Sequence, residues 1–515
     1  MSKVNLDALI PREDFKNDNS YDEISFKKND FSISDLESYT ALYLRKPDFQ
    51  RETNEWDKEK IADFIESFLN GDLIPAIILW KAKNGLLFVI DGSHRLSALL
   101  GWVRNDYGDG EISKKFYNQI PEEQISIAED TKKHIRKKIG LYSDYKLALT
   151  NPDKVDEKIR QKHRNLASIG LQLQWVSGDH QKAEHSFINI NQKGSPIDAT
   201  ELRLIKGRYL ANCITSRAII KSGEGHKYWS NFDKKNQDKI QDTAKEIHDI
   251  LFLPKLETPI KTLDIPIGGQ TFKSQTLPLV FDCVNIINDT SSKDILKNNK
   301  DDGKNDKDGT ETIKFLEKTL KIMRRINSDH ASSLGLHPAV YFYSQHGRHK
   351  PVSLYAIIAL IKEFEADPKK YHQFTKIRDK FEDFIIKNDD LISQITRKKR
   401  GGREAYNDIK DLFLEIIKLT EVNSENIFND IIKIKKFNYL KSDNQQSTLL
   451  TSSETKSNVF LSRALDGCIK CSICNGYLHK NSITMDHILR KREGGSNNVK
   501  NLQPAHPYCN TTFKQ

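Results

Sequence analysis

The residues best equipped for chemistry crowd the last fifty positions of the chain. Cys471-Ser-Ile-Cys474 and His506-Pro-Tyr-Cys509 are two pairs of metal-ligating side chains, each with two residues between its members. Two such pairs can close a tetrahedral zinc site from opposite ends of a short module. Cys468 has the same spacing to Cys471, so a Cys468/Cys471 pair is the alternative. A closed four-ligand site is structural, and zinc can contribute on the order of 10 kcal/mol to the folding of so small a unit. Between the pairs lie Met485-Asp486-His487-Ile488, Gly494-Gly495 and Asn501-Leu502, and Asn510 follows Cys509. These types suit phosphodiester hydrolysis, which needs a base to deprotonate water and a divalent cation at the phosphate. A histidine such as His487 fits the base, a role worth about 10² to 10⁴ in rate. Asp486 and Asn510 offer the hard oxygen ligands that magnesium or manganese prefers. Asn501 reads as a brace for the loop that carries His487.

The ordered series Cys-x-x-Cys, Asp-His, Gly-Gly, Asn-Leu and Cys-Asn resembles the HNH nuclease family. Its separations, 14 residues from His487 to Asn501 and 9 from Asn501 to Asn510, are similar to those of the HNN members. The resemblance implies a ββα-metal fold with His487 as base, Asp486 and Asn510 on the catalytic cation, and Asn501 as positioning residue. His506 stands where that family more often has cysteine.

A second candidate site lies far upstream. In Asp91-Gly92-Ser93-His94-Arg95 a strand runs into a turn and a helix start, where free backbone N–H groups and the helix dipole favour a phosphate. Arg95 could add a forked contact, and Asp91 could hold a metal or polarise water. Taken alone, an N-cap with a surface arginine is the commoner explanation of these residues. The order Phe49-Gln50-Arg51, Trp56, Ile-Pro-Ala-Ile-Ile-Leu, Asp91-Gly-Ser-His-Arg-Leu, and later Phe187-Ile-Asn-Ile-Asn191 with Glu201-Leu-Arg203 resembles the GmrS-like domains of the ParB/sulfiredoxin-like superfamily. That resemblance spans about 40 to 210. It implies a nucleoside triphosphate site lined by Gln50, Arg51, Asp91, Gly92, His94 and Arg95, with Ser93-His94 where Gln-Gln is frequent.

Elements must hold these residues in place. Ile61, Phe64, Ile65, Phe68 and Leu69 have helical spacing, with Gly71 as the stop. Ile77–Trp80 and Leu86–Ile90 read as strands joined by a tight Asn84-Gly85 turn. From about 211 to 440 the pattern is mostly helical. For Leu336-His337-Pro338 to Tyr341-Phe-Tyr343 with Gly347-Arg348-His349-Lys350, a buried helix packed against a basic loop is preferred over a DNA-facing surface, while Arg397-Lys-Lys-Arg400-Gly-Gly-Arg403 divides evenly between a nucleic-acid contact and a solvated face. Residues 288–312 are polar and read as a mobile loop, and 441–460 as a linker.

The expected fold class is therefore α+β multidomain. A mixed α/β, ParB-like domain (1–210) precedes a largely helical middle (211–440) and a zinc-stapled HNH module (461–515) on a flexible tether.

At 515 residues the chain has room for two to four domains. Its net charge of +10 decides little, but residues 461–515 carry eight Lys or Arg against three Asp or Glu. No apolar run of about 18 residues is present and the N-terminus lacks a secretory core, so a membrane span is not expected and a cytoplasmic location is. Four of six cysteines fall at the C-terminus, which in a reducing compartment favours metal over disulfides. The expected partners are DNA, modified or phage-derived as in antiphage restriction systems that pair these modules, and a triphosphate. Oligomerisation is left open. The runner-up is a nucleotide-responsive DNA-binding protein whose zinc module is structural only, and a third reading is toxin-like degradation of host DNA.

Overall fold

The computed structural model describes the whole chain except residues 1–2, 16–27, 51, 118–119, 121, 167–168, 194–198, 225–226, 272–275, 291–304, 443–450 and 515. It divides into two compact units, Met1–Arg208 with Glu224–Tyr228, and Tyr209–Gly223 with Trp229–Gln515.

The first unit is built on a six-stranded mixed sheet: β1 (Arg12–Glu13), β2 (Asp30–Ser32), β3 (Leu44–Pro47), β4 (Ile77–Lys81), β5 (Leu87–Asp91) and β6 (Gly170–Trp175). Their order is β1-β3-β5-β4-β6-β2. β4 and β5 form the antiparallel hairpin expected from Asn84-Gly85, with Gly85 at φ 82°. Both strands are apolar on alternate residues in both directions because each face of the sheet meets a core. Ile77, Leu79 and Val89 pack with Ile61, Ile65, Leu96 and Leu99 on one side. Trp80, Phe88 and Ile90 join Phe15, Phe49 and Phe187 on the other. The Lys58–Asn70 helix is capped by the Asp57 side chain and ended by Gly71 at φ 77°.

The second unit is helical up to its C-terminal module. The helix Pro351–Ala366 buries apolar residues around most of its circumference and packs against Thr276–Asn288 and Gly402–Glu421. Leu336 to Tyr343 is buried, in agreement with the preferred reading of that stretch, and Arg397–Arg400 is exposed at a helix end. Among the described residues no helix is long and apolar enough to cross a membrane.

Two stretches differ from expectation. Of the expected loop 288–312, residues 291–304 lie outside the described residues, but its last part is ordered. There Asp306 accepts from the backbone N–H groups of Gly309 (2.9 Å) and Thr312 (2.7 Å), fixing the start of the helix Thr310–Ile326. Of the expected linker 441–460, residues 443–450 lie outside the described residues, and Ser452–Asp466 is a helix. Its Thr451/Glu454 capping box made it legible as a helix start. Ser457 accepts from the Ile260 N–H (3.0 Å), Asn458 donates to Gln345 O (3.0 Å) and Leu461 is buried. Within the expected linker, Ser452 onward is thus a helix docked on the helical body.

Candidate metal centre and nucleic-acid site

The C-terminal module consists of β7 (Thr484–His487) and β8 (Leu502–Ala505), antiparallel with Asp486 opposite Gln503, followed by a helical turn through Cys509–Phe513. Its core is small: Cys471, Cys474, Leu478, Ala505 and Cys509. Three of those five are cysteines, so this interior has little apolar area to hold itself together.

Cys471, Cys474, His506 and Cys509 are buried, and their donor atoms lie within 4.8 Å of one another. Cys468 is outside this group; its Sγ faces Leu478 O at 3.5 Å, so the alternative pair falls away. His506 points Nδ1 at the Sγ atoms of Cys474 (3.4 Å) and Cys509 (3.8 Å), and Nε2 donates to Tyr477 O at 3.0 Å. A ring that faces a donor cluster with one nitrogen and a backbone carbonyl with the other is set up as a metal ligand. Hydrogen bonds from Cys474 and Cys509 draw the Cys471 thiol far down, and the same crowding pushes Cys474 and Cys509 up. A cation that takes all three as thiolates relieves that conflict.

Asp486 is buried and its Oδ2 accepts from Gln503 Nε2 (2.7 Å) and Lys514 Nζ (2.6 Å). Lys514 also donates to His487 O (2.6 Å), tying the C-terminal turn to the end of β7. Asn510 Nδ2 donates to Thr484 Oγ1 (3.2 Å), two residues before Asp486 and therefore on the same side of β7. His487 Nε2 lies 2.9 Å from Asn497 Oδ1. With that oxygen as acceptor the ring carries its proton on Nε2 and keeps a lone pair on Nδ1. Asn501 pins the intervening loop: its Oδ1 accepts from Leu489 N (2.8 Å), and its Nδ2 donates to Leu489 O (3.0 Å) and Ser496 O (2.8 Å). Gly495 is forced here, because a Cβ would lie 1.8 Å from Leu489 O. Gln503, Lys514 and Asn497 were not singled out from sequence. Lys514, four residues after Asn510 on a helical turn, was the one with a readable signal.

In the first unit β5 ends at Asp91, and Gly92 at φ 96° opens the helix Ser93–Arg104. A Cβ on Gly92 would meet Ile77 Cδ1 at 2.4 Å, so only glycine fits. Arg95 Nη2 donates to Asp91 Oδ2 at 2.5 Å, and His94 stacks on Trp56 with ring centroids 5.7 Å apart. Arg51 lies outside the described residues. Gln50 is buried, and its Oε1 has no hydrogen-bond partner among them. Its backbone oxygen is held by Arg12, one member of a buried charge cluster that precedes every motif noticed in the sequence. In that cluster Asp7 Oδ1 accepts from Arg12 (2.9 Å), from Lys46 (2.6 Å) and from the Thr53 N–H (2.9 Å). Burial pulls the Lys46 ammonium down to about 8, against the pull of Asp7.

A two-stranded sheet, a helical turn and a Cys₃His cluster that could hold a metal ion define a small module within the second unit; the first unit is α/β. Residues 471–514 match the family model of HNH endonucleases, and residues 31–210 match that of the N-terminal domain of GmrSD restriction endonuclease. The chain thus joins a GmrSD N-terminal domain to a C-terminal HNH endonuclease domain. No curated protein and no solved structure matches it.

Proposed function

We propose that the protein is a metal-dependent DNA endonuclease whose HNH domain hydrolyses phosphodiester bonds, acting in restriction of invading DNA. One observation carries this reading: His487, inside the HNH match, has one ring nitrogen engaged by Asn497 and lies next to buried Asp486 on a loop pinned by Asn501. His487 takes the proton of the attacking water, Asn497 and Asn501 hold it in position, and Lys514 balances the charge of Asp486. Asp486 and Asn510 would hold a magnesium or manganese ion, which supplies Lewis-acid stabilisation of the phosphate when bound. Cys471, Cys474, His506 and Cys509 would hold a structural zinc.

The N-terminal domain, taken as 1–210, is proposed to bind a nucleoside triphosphate or to sense modified or phage DNA. Gln50, Asp91, Gly92, His94 and Arg95 would line that site; Arg51, also expected there, lies outside the described residues. The helix start at Gly92 and the buried, unpartnered Gln50 oxygen support it. The body 211–440 and the lead-in 441–460 would connect it to the nuclease at 461–515.

The test is cleavage of modified and unmodified phage DNA with magnesium, with chelator, and with each triphosphate. Wild-type cleavage that His487→Ala lowers by about 10² to 10⁴ while DNA binding persists is the expected result. No cleavage of any polynucleotide by the metal-loaded wild type would leave only a DNA-binding protein with a zinc docking module. Indifference to every triphosphate would remove the regulatory role.

A further inference from the structure

The helical body reaches into the Cys₃His cluster through one side chain. Arg378, on the helix Arg378–Lys387, is 2 % exposed yet lies outside the residues that match the HNH model. Its Nη1 sits 3.3 Å from His506 Nδ1, its Nη2 donates to Gly335 O (3.0 Å), and its Nε donates to Glu382 (2.7 Å). Glu382 is spoken for on both oxygens: Tyr341 OH donates to one (2.9 Å) and the Tyr477 N–H to the other (2.8 Å). Tyr477 is the residue whose carbonyl takes the His506 Nε2 proton. The packing leaves no slack. A Cβ on Gly476 would lie 2.5 Å from Arg378 Nε, and one on Gly335 2.6 Å from His506 Cδ2.

We infer that Arg378 is a positioning residue of the metal centre, so that metal retention by the HNH module depends on a side chain the helical body supplies. Three thiolates and one dication leave one net negative charge in a buried site, where an uncompensated charge is costly. The Arg378 guanidinium offsets it, and the Glu382–Tyr477 link fixes the carbonyl that orients His506. Outer partners of this kind typically change metal affinity by about 10- to 100-fold. The inference rests on the reading that the cluster binds zinc.

Full-length wild type, Arg378→Met, Arg378→Lys and the surface control Lys380→Ala are loaded with zinc. Transfer to a chromophoric chelator is timed well below the melting range. Arg378→Met is expected to release metal about 10- to 100-fold faster than wild type, and Arg378→Lys to fall between, since it keeps the charge and loses the fork. Cobalt-loaded Arg378→Met should keep tetrahedral thiolate absorption, placing the defect outside the ligands. Equal release from wild type and Arg378→Met overturns the inference, even if the variant melts earlier, because a purely structural ion pair would do that. If Arg378→Met gives no soluble protein, Arg378→Lys and Glu382→Gln decide, and release from both at the Lys380→Ala rate overturns it. Wild type that holds no zinc would instead remove the metal reading itself.

Discussion

Both candidate sites begin with an aspartate at a strand end and a basic or ring side chain close behind, yet they are held in opposite ways. Asp91 ends the fifth strand of a six-stranded sheet with an apolar core on each face, and its carboxylate is paired with Arg95 one helical turn on. Asp486 belongs to a two-stranded sheet whose core is mostly cysteine. Small modules cannot rely on apolar burial. The upstream site inherits its rigidity from the domain, whereas on the proposed reading the downstream one takes it from a metal and from Arg378. Breaking each support should therefore damage different things.

The largest effect is expected from removing the metal. Cys471→Ser with Cys474→Ser, or zinc chelation, should abolish cleavage and unfold the C-terminal module, since metal binding of this type is worth on the order of 10 kcal/mol. Hydrogen exchange read segment by segment should show loss of protection in 468–514 and none in the six-stranded sheet. Equal loss in both regions would contradict the contrast.

Next is His487→Ala. Cleavage should fall by about 10² to 10⁴ with metal content and melting unchanged. Asn497→Ala should cost less, because water can replace an orienting amide but not the base. If Asn497→Ala matched His487→Ala, the amide would be doing more than holding the ring.

In the first unit the corresponding weak point is charge. Asp7→Asn leaves Arg12 and Lys46 buried without their carboxylate, and such a loss costs about 3 to 5 kcal/mol. Denaturant unfolding should show it in the N-terminal transition alone. A change under about 1 kcal/mol would mean that the cluster relaxes to water.

How much of this was readable follows the same division. The HNH residues and the β4–β5 hairpin are local patterns: short spacings, a two-residue turn, a glycine forced by its neighbours. What escaped is held across long distances in sequence. Asp7 and Lys46 are 39 positions apart, and Arg378 and His506 are 128 apart. Neither pair has periodicity to betray it, and a lone arginine on a helix reads as surface until the structure buries it. The polar stretch before Cys468 misled for another reason. Ser and Thr are as common at helix starts as in linkers, and Thr451 with Glu454 outweighed the composition.

The smallest effect expected is a pH dependence at the seam between the module and the helical body. His479 is buried there, with Nδ1 against the Asn327 side chain, its ring edge-on to His337 at 5.3 Å, and Nε2 3.5 Å from Asp264, which also pairs with Lys480. Burial pulls His479 down to about 4, with Asp264 opposing and Lys480 assisting, and burial draws His337 well below its ordinary range too. Above pH 6.5 both are neutral whether folded or not, and they contribute no pH dependence. As pH falls from about 6.5 to about 4, the unfolded chain gains the His479 proton that the folded chain refuses. The His479 share of stability then drops by about 1.4 kcal/mol per pH unit, to roughly 3 kcal/mol, and levels off below pH 4, while His337, drawn well below its ordinary range, adds a loss of its own in the same direction. His479→Gln should flatten part of that slope, leaving the share due to His337. Urea midpoints at pH 7.5, 6 and 5 measure it, and identical slopes for variant and wild type would show that His479 takes up its proton without opening the seam.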